Sequence, residues 1–239
     1  MRINFSAKCR NTLCIPSDKG EFRPKRALLG DNSSTLFGYT AIRLAEKYRG
    51  FYIPGFHVSP LFLKESLEEI ERMHKLGINF VGELVPYIHG WGYGSENLDE
   101  IIDLITEYDM IFNFHTATIE EPFINMIKKH PKTRFVAAHP GEKGTFLLHL
   151  ELMKENENYK LDISGTGVLR NRLLPYGIKM VGVERFLYGS DYPVCNPSAY
   201  IGGVALDPNL TDSEKEMIFY KNAASLLRET NNSYFVENN

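Results

Sequence analysis

Short apolar runs alternate with amphipathic stretches along almost the whole chain, with a repeat of about 25 to 30 residues. This period constrains the fold more than any other feature, because a strand–helix–strand unit of that length returns the chain parallel to its start. The candidate strands are residues 3–5, 27–29, 51–58, 78–84, 110–114, 134–138, 159–163 and 186–188. Eight parallel strands in 239 residues predict a closed (β/α)8 TIM-type barrel, which needs roughly 250. One domain over residues 1–239 is expected, with a frayed polar tail from 230.

The intervening stretches carry helix signals. Residues 35–48 read as helical. Ser59 can cap a helix that Pro60 opens, with Leu63, Leu67, Ile70 and Met73 on one face and Gly77 at its end. Another starts near Asn97, and Thr118 with Glu121 gives a capping-box pattern for the next. A helix over 142–155 follows, then an irregular one from 168 that Pro175 and Gly177 interrupt. Thr211 and Glu214 open the last.

Composition narrows the function classes. Apolar content of 43% and charged content of 24% are ordinary for a soluble globular protein. A net charge of −3, without a basic stripe, argues against a nucleic-acid partner. No apolar run is long enough to cross a bilayer, and the first residues lack the apolar core of a signal peptide. Three cysteines, Cys9, Cys14 and Cys195, cannot all pair with one another. A reducing, cytoplasmic setting is therefore expected.

In such a barrel the chemistry sits where strands end. Glu83, His115, His139 and Asp191 each follow an apolar run directly. One histidine after a strand is commonly structural, whereas four ligand-type groups at four strand ends point to a shared site. The loop His89-Gly90-Trp91-Gly92-Tyr93-Gly94 follows the Glu83 strand and should overhang that site. Trp91, with Tyr87 and Tyr93, is a candidate to stack on a planar or apolar substrate; Trp91 could equally cover the barrel edge. Arg170 is a candidate partner for a substrate carboxylate. His57 ends another strand and could face the pocket, although a structural role is favoured; His74, His130 and His149, on helices, are expected to face solvent.

Phe114-His115-Thr116, Ala138-His139-Pro140-Gly141, Tyr188-Gly189-Ser190-Asp191-Tyr192-Pro193, Gly82-Glu83-Leu84 and Asn222-Ala223-Ala224-x-Leu226-Leu227 together resemble the amidohydrolase superfamily. The similarity is to its amidohydrolase-related branch of metal-dependent hydrolases and non-oxidative decarboxylases, and covers nearly the whole chain. It implies a barrel with one or two divalent metals, often zinc. It also implies that His115, His139, Asp191 and Glu83 follow the fifth, sixth, eighth and fourth strands as metal ligands. His139 could instead polarise the substrate, and Asp191 would accept a proton. The expected partner is a small carboxyl- or carbonyl-bearing substrate, with a homodimer as a possible assembly.

The chain departs from that pattern at its start. The family opens with a strand ending His-x-His, and here Ser6 and Lys8 hold those two positions. Serine is a poor zinc ligand, and a lysine ammonium has no lone pair to give. Two arrangements follow. Either Glu83, His115, His139 and Asp191 still hold a metal, since a catalytic zinc needs only three protein ligands, or the Lys8 ammonium replaces the metal and pairs with Asp191 and Glu83. In the second, the favoured one, the pocket has a degenerate metal site, with Lys8 among its catalytic groups or as part of an inactive binding site.

Overall fold

A computed structural model describes residues 33–116, 118–165 and 170–236. The expected strands at 3–5 and 27–29, with Ser6, Lys8, Cys9 and Cys14, lie outside the described residues. The described residues open with α1 (Ser33–Lys47), then a 3-10 turn (Pro60–Phe62) running into α2 (Leu63–Lys75). Ser59 caps that turn by accepting from the Leu61 N–H, with Pro60 in its first positions, as the sequence predicts.

Five strands alternate with helices from there on. They are β1 (Phe80–Leu84), β2 (Ile111–His115), β3 (Arg134–Ala138), β4 (Tyr159–Asp162) and β5 (Phe186–Leu187). All pair in parallel in the order β1-β2-β3-β4-β5. The stretch over 51–58 contributes only a parallel bridge, Phe56 to Val81, on the outer side of β1. Pro54 has no N–H for a ladder, which limits pairing there.

The helices are α3 (Pro86–His89), α4 (Leu98–Glu107), α5 (Glu121–Lys129), α6 (Lys143–Glu155), α7 (Leu173–Val181) and α8 (Pro197–Ala205). A final segment joins α9 (Asp212–Glu216), a π-helical turn (Met217–Lys221) and α10 (Asn222–Glu229). Thr211 and Glu214 form the expected capping box. The one expected of Thr118 and Glu121 does not form: α5 starts after Glu120, without a side-chain cap, and Pro122 pre-sets its first turn instead.

The strands are buried on both faces, as a parallel sheet covered by helices requires. Phe112, Phe114, Phe135, Tyr159 and Phe186 fill one continuous core with Ile70, Ile101, Phe146 and Met153 from the helices. The segment expected as a tail makes several contacts with the fold before Val236. Asn79 donates its amide to the Thr230 carbonyl, Ser233 N–H bonds to the Gly77 carbonyl at 3.1 Å, and Tyr234 packs on the core. Among the described residues, no helix is long and apolar enough to cross a membrane.

Candidate metal and catalytic site

Because the strands are parallel, their carboxyl ends share one edge, and Glu83, His115, His139, Ser164 and Asp191 all occur there. β1 carries Glu83 to the site through a break in its register with β2 between Val81 and Leu84. Gly82 lies in that break at φ +114°, where a Cβ would fall 2.0 Å from the Asn113 carbonyl oxygen. Only glycine permits so close an approach of the two backbones. Glu83 is consequently buried, at 4% exposure.

The Glu83 carboxylate is the centre of the cluster. Its Oε1 lies 3.0 Å from His115 Nδ1 and 3.1 Å from His139 Nε2. The two imidazole rings cross at 72° with centroids 4.6 Å apart. One donor atom from each of the three residues lies within 4.8 Å of the other two. Two nitrogens and a carboxylate oxygen are a donor set suited to a first-row divalent ion.

Each histidine is held from behind. The Tyr93 hydroxyl donates to the His115 carbonyl, and its ring packs edge-on against Phe114 and Phe123, so burial pushes its phenol well above the ordinary value. His139 adopts φ +72° just past β3, an uncommon conformation for a non-glycine residue. Its Nδ1 is 3.0 Å from Ser164 Oγ, and Ser164 Oγ in turn donates to Asp162 Oδ1. A serine hydroxyl has a single hydrogen. With that hydrogen on Asp162, Ser164 must accept from His139 Nδ1–H. The Nε2 that faces Glu83 then brings either a lone pair or a second hydrogen. His115 Nδ1 can donate to the Glu83 carboxylate as a neutral ring, whereas a His139 Nε2 lone pair against the same oxygen calls for a bridging cation or a shared hydrogen.

Asp191 follows β5 and is buried, at φ +55°. Its carbonyl accepts from the Val194 and Cys195 N–H groups at 2.8 and 3.0 Å, and the Cys195 thiol stands 3.9 Å from Oδ2. Cys195 is a free thiol.

The other expected residues separate. Trp91 is 8% exposed, packed edge-on to Tyr93 within the core cluster. Tyr93 has its hydroxyl engaged with His115. Arg170 pairs with Glu142 and borders a surface groove with Lys143, Leu147 and Tyr176. Ser6 and Lys8 fall outside the described residues.

Two further residues that the sequence brings up, Tyr87 and His57, lie near Glu83 and His115. Exposed Tyr87 sets its ring edge to His115, with centroids 5.2 Å apart. His57, one residue past the Phe56 bridge, crosses His89 with ring centroids 6.3 Å apart. Burial and the neighbouring His89 push its pKa down to about 4 against the opposing pull of Glu83, so the ring is neutral at pH 7 and close enough to Glu83 to feel its charge. Asp162, within the expected 159–163 strand, and Ser164, just after it, were not singled out from sequence. Their available signal was spacing, since residues two apart share one face of an extended chain. His130 and His149, expected at the surface, are buried. His130 meets Asp99 and Asp103 at 2.8 and 3.2 Å, and His149 pairs with the Tyr159 hydroxyl at 2.7 Å.

Comparison with known proteins places this geometry in a family. No curated protein matches the sequence. Among solved structures, the chain is similar to 2,6-dihydroxybenzoate decarboxylase from Rhizobium, with a TM-score of 0.68 at 14% identity over 82% of this chain and 76% of that one. It is similar to a TIM-barrel protein from Bordetella bronchiseptica, with a TM-score of 0.64 at 18% identity over 81% and 72%. A third is dihydroxybenzoic acid decarboxylase from Polaromonas, with bound manganese and the inhibitor 2-nitroresorcinol, at a TM-score of 0.59 and 18% identity over 84% and 79%. The five-stranded arc is thus part of a (β/α)8 barrel wall. The profile of the amidohydrolase family matches residues 39–228, and the chain belongs to that family.

Proposed function

We infer that the chain is a divalent-metal-dependent hydrolase or non-oxidative decarboxylase acting on a small carboxyl- or carbonyl-bearing substrate. The observation that carries this reading is the Glu83 oxygen facing two imidazole nitrogens at 3.0 and 3.1 Å, a donor set that could hold a divalent ion. Glu83, His115 and His139 would hold the metal, with Asp191 just past β5 at the same edge of the sheet. A bound zinc or manganese would supply Lewis acidity toward a substrate oxygen and a lowered pKa for water. Asp191 serves as proton acceptor, from a turn fixed by its own carbonyl. Tyr87, whose ring packs edge-on to His115, would offer a planar substrate an aromatic surface beside the metal. The dihydroxybenzoate decarboxylases among its structural neighbours favour a hydroxylated aryl carboxylate as the first class to try.

Metal analysis and turnover test this together. The purified protein should take up about one equivalent of zinc or manganese, and Glu83→Gln and His115→Ala should each weaken binding by about 100-fold or more, in line with a lost ligand. Carbon dioxide release from hydroxybenzoates and hydrolysis of small amides and esters then separate the two reactions. No metal uptake and no metal-dependent turnover would overturn the proposal.

A second reading follows from Ser6 and Lys8. There the Lys8 ammonium provides the positive charge beside Glu83 and Asp191, and the pocket binds a small molecule without metal. It is supported if metal stays absent while Lys8→Met destabilises the protein, and is discarded if metal binds stoichiometrically.

A further inference from the structure

The end of β4 carries an arrangement that neither metal binding nor substrate contact uses directly. Asp162 Oδ1 accepts from the Ser164 N–H at 2.9 Å and from the Ser164 hydroxyl, and the His139 N–H approaches it at 3.4 Å. One carboxylate oxygen therefore gathers the main chain at His139 and both donors of Ser164. All three residues are buried, with Ser164 at 0% exposure. The fit around them is close. A Cβ at Gly165 would fall 2.4 Å from His139 Nδ1, and one at Gly189 would fall 3.0 Å from Ser164 Cβ and 3.2 Å from Asp162 Cγ. Glycines just past β4 and β5 thus leave room for this chain of groups and little else.

We propose that Asp162 and Ser164 are positioning residues that place a hydrogen on His139 Nδ1, so that Nε2 is the nitrogen offered to the Glu83–His115 cluster. Asp162, acceptor-only when ionised, draws the hydroxyl hydrogen of Ser164 to itself. Ser164 can then only accept from the ring, and the ring is both oriented and assigned its tautomer. A histidine whose far nitrogen donates to a fixed acceptor is a stronger and better-aimed ligand. The role rests on the metal-binding reading above, but the placement of the hydrogen does not.

Two measurements separate them. In protein labelled with 15N-histidine, long-range proton–nitrogen correlation should show a slowly exchanging hydrogen on His139 Nδ1, with or without zinc. The Ser164→Ala variant should lose that protection. A bare Nδ1 in the wild type, or an unchanged signal in the variant, overturns the proposal whatever the protein does with metal. Ser164→Ala should also weaken zinc or manganese affinity by about 10- to 100-fold, with secondary structure unchanged by circular dichroism. Equal affinity in wild type and variant overturns the positioning role and leaves the metal site standing. If neither binds metal but the Nδ1 hydrogen behaves as stated, the hydrogen placement holds and the metal reading fails.

Discussion

Gly177 shows how a single residue can mean one thing in sequence and another in place. In sequence, Gly177 and Pro175 interrupt a helical pattern. In the fold both lie inside α7, where Pro175 occupies the first turn and so removes no intrahelical hydrogen bond. Gly177 allows the helix to approach the core: a Cβ there would lie 2.6 Å from Phe146 Cζ and 2.9 Å from Phe186 Cζ. Both phenylalanines are fully buried and have nowhere to retreat. Replacing a mid-helix glycine with alanine ordinarily stabilises by about 1 kcal/mol. Here overpacking, at about 1–3 kcal/mol, opposes and exceeds that gain. Gly177→Ala should therefore lower stability by about 1 kcal/mol, read as a decrease in the urea midpoint at constant slope. A rise in the midpoint would mean that α7 stands further from the sheet than described.

At the scale of elements, the last helical segment explains how the short β5 is held in position. The N–H of Tyr188, just past β5, donates to the Ile218 carbonyl in the π-helical turn at 3.0 Å. Asn222, at the start of α10, donates its amide to the carbonyls of Val183 and Phe186 at 2.8 Å each. The terminal helix thus clamps the strand that delivers Asp191. Asn222 was legible as part of a family-like signature, but its task was not, since both acceptors are main-chain groups some 36 to 39 positions earlier. Sequence periodicity reports faces and says nothing of such long-range pairings. Asn222→Ala would strand two carbonyls, one of them deep in the sheet. Unpaired buried polar groups cost about 1–3 kcal/mol each, so a loss of about 3 kcal/mol is expected in chemical denaturation. Asn222→Asp should be at least as damaging, because a carboxylate would set negative charge against both acceptors.

At the scale of the whole molecule, parallel topology makes the placement of strand-end residues legible. Once the strands run one way, residues that end them must share an edge, and Glu83, His115 and His139 do meet there. Burial on the helix layer was less legible because residue type and spacing disagree. His149 looks like a surface residue by type, yet it falls between Phe146, Leu150 and Met153 on the inward face of α6. It is fully buried, stacked on Tyr159 and bonded to the tyrosine hydroxyl. Burial lowers its pKa from 6.5 to about 3, with the His139 carbonyl and the Asp162 carboxylate pulling weakly the other way. Between those values the unfolded chain binds a proton at His149 that the folded chain does not. Stability from this residue is therefore complete above pH 6.5 and declines as pH falls toward 3, by about 1.4 kcal/mol for each pH unit. Urea melts between pH 6 and pH 4 should show that loss at physiological salt, added to the same-sign contribution of His57, whose pKa is also depressed. Glutamine at position 149 can keep a hydrogen bond to Tyr159 but cannot titrate, so His149→Gln should flatten the slope by about one proton even if it lowers stability at pH 7. A slope that survives the substitution unchanged would assign the acid sensitivity elsewhere and would place His149 in contact with solvent.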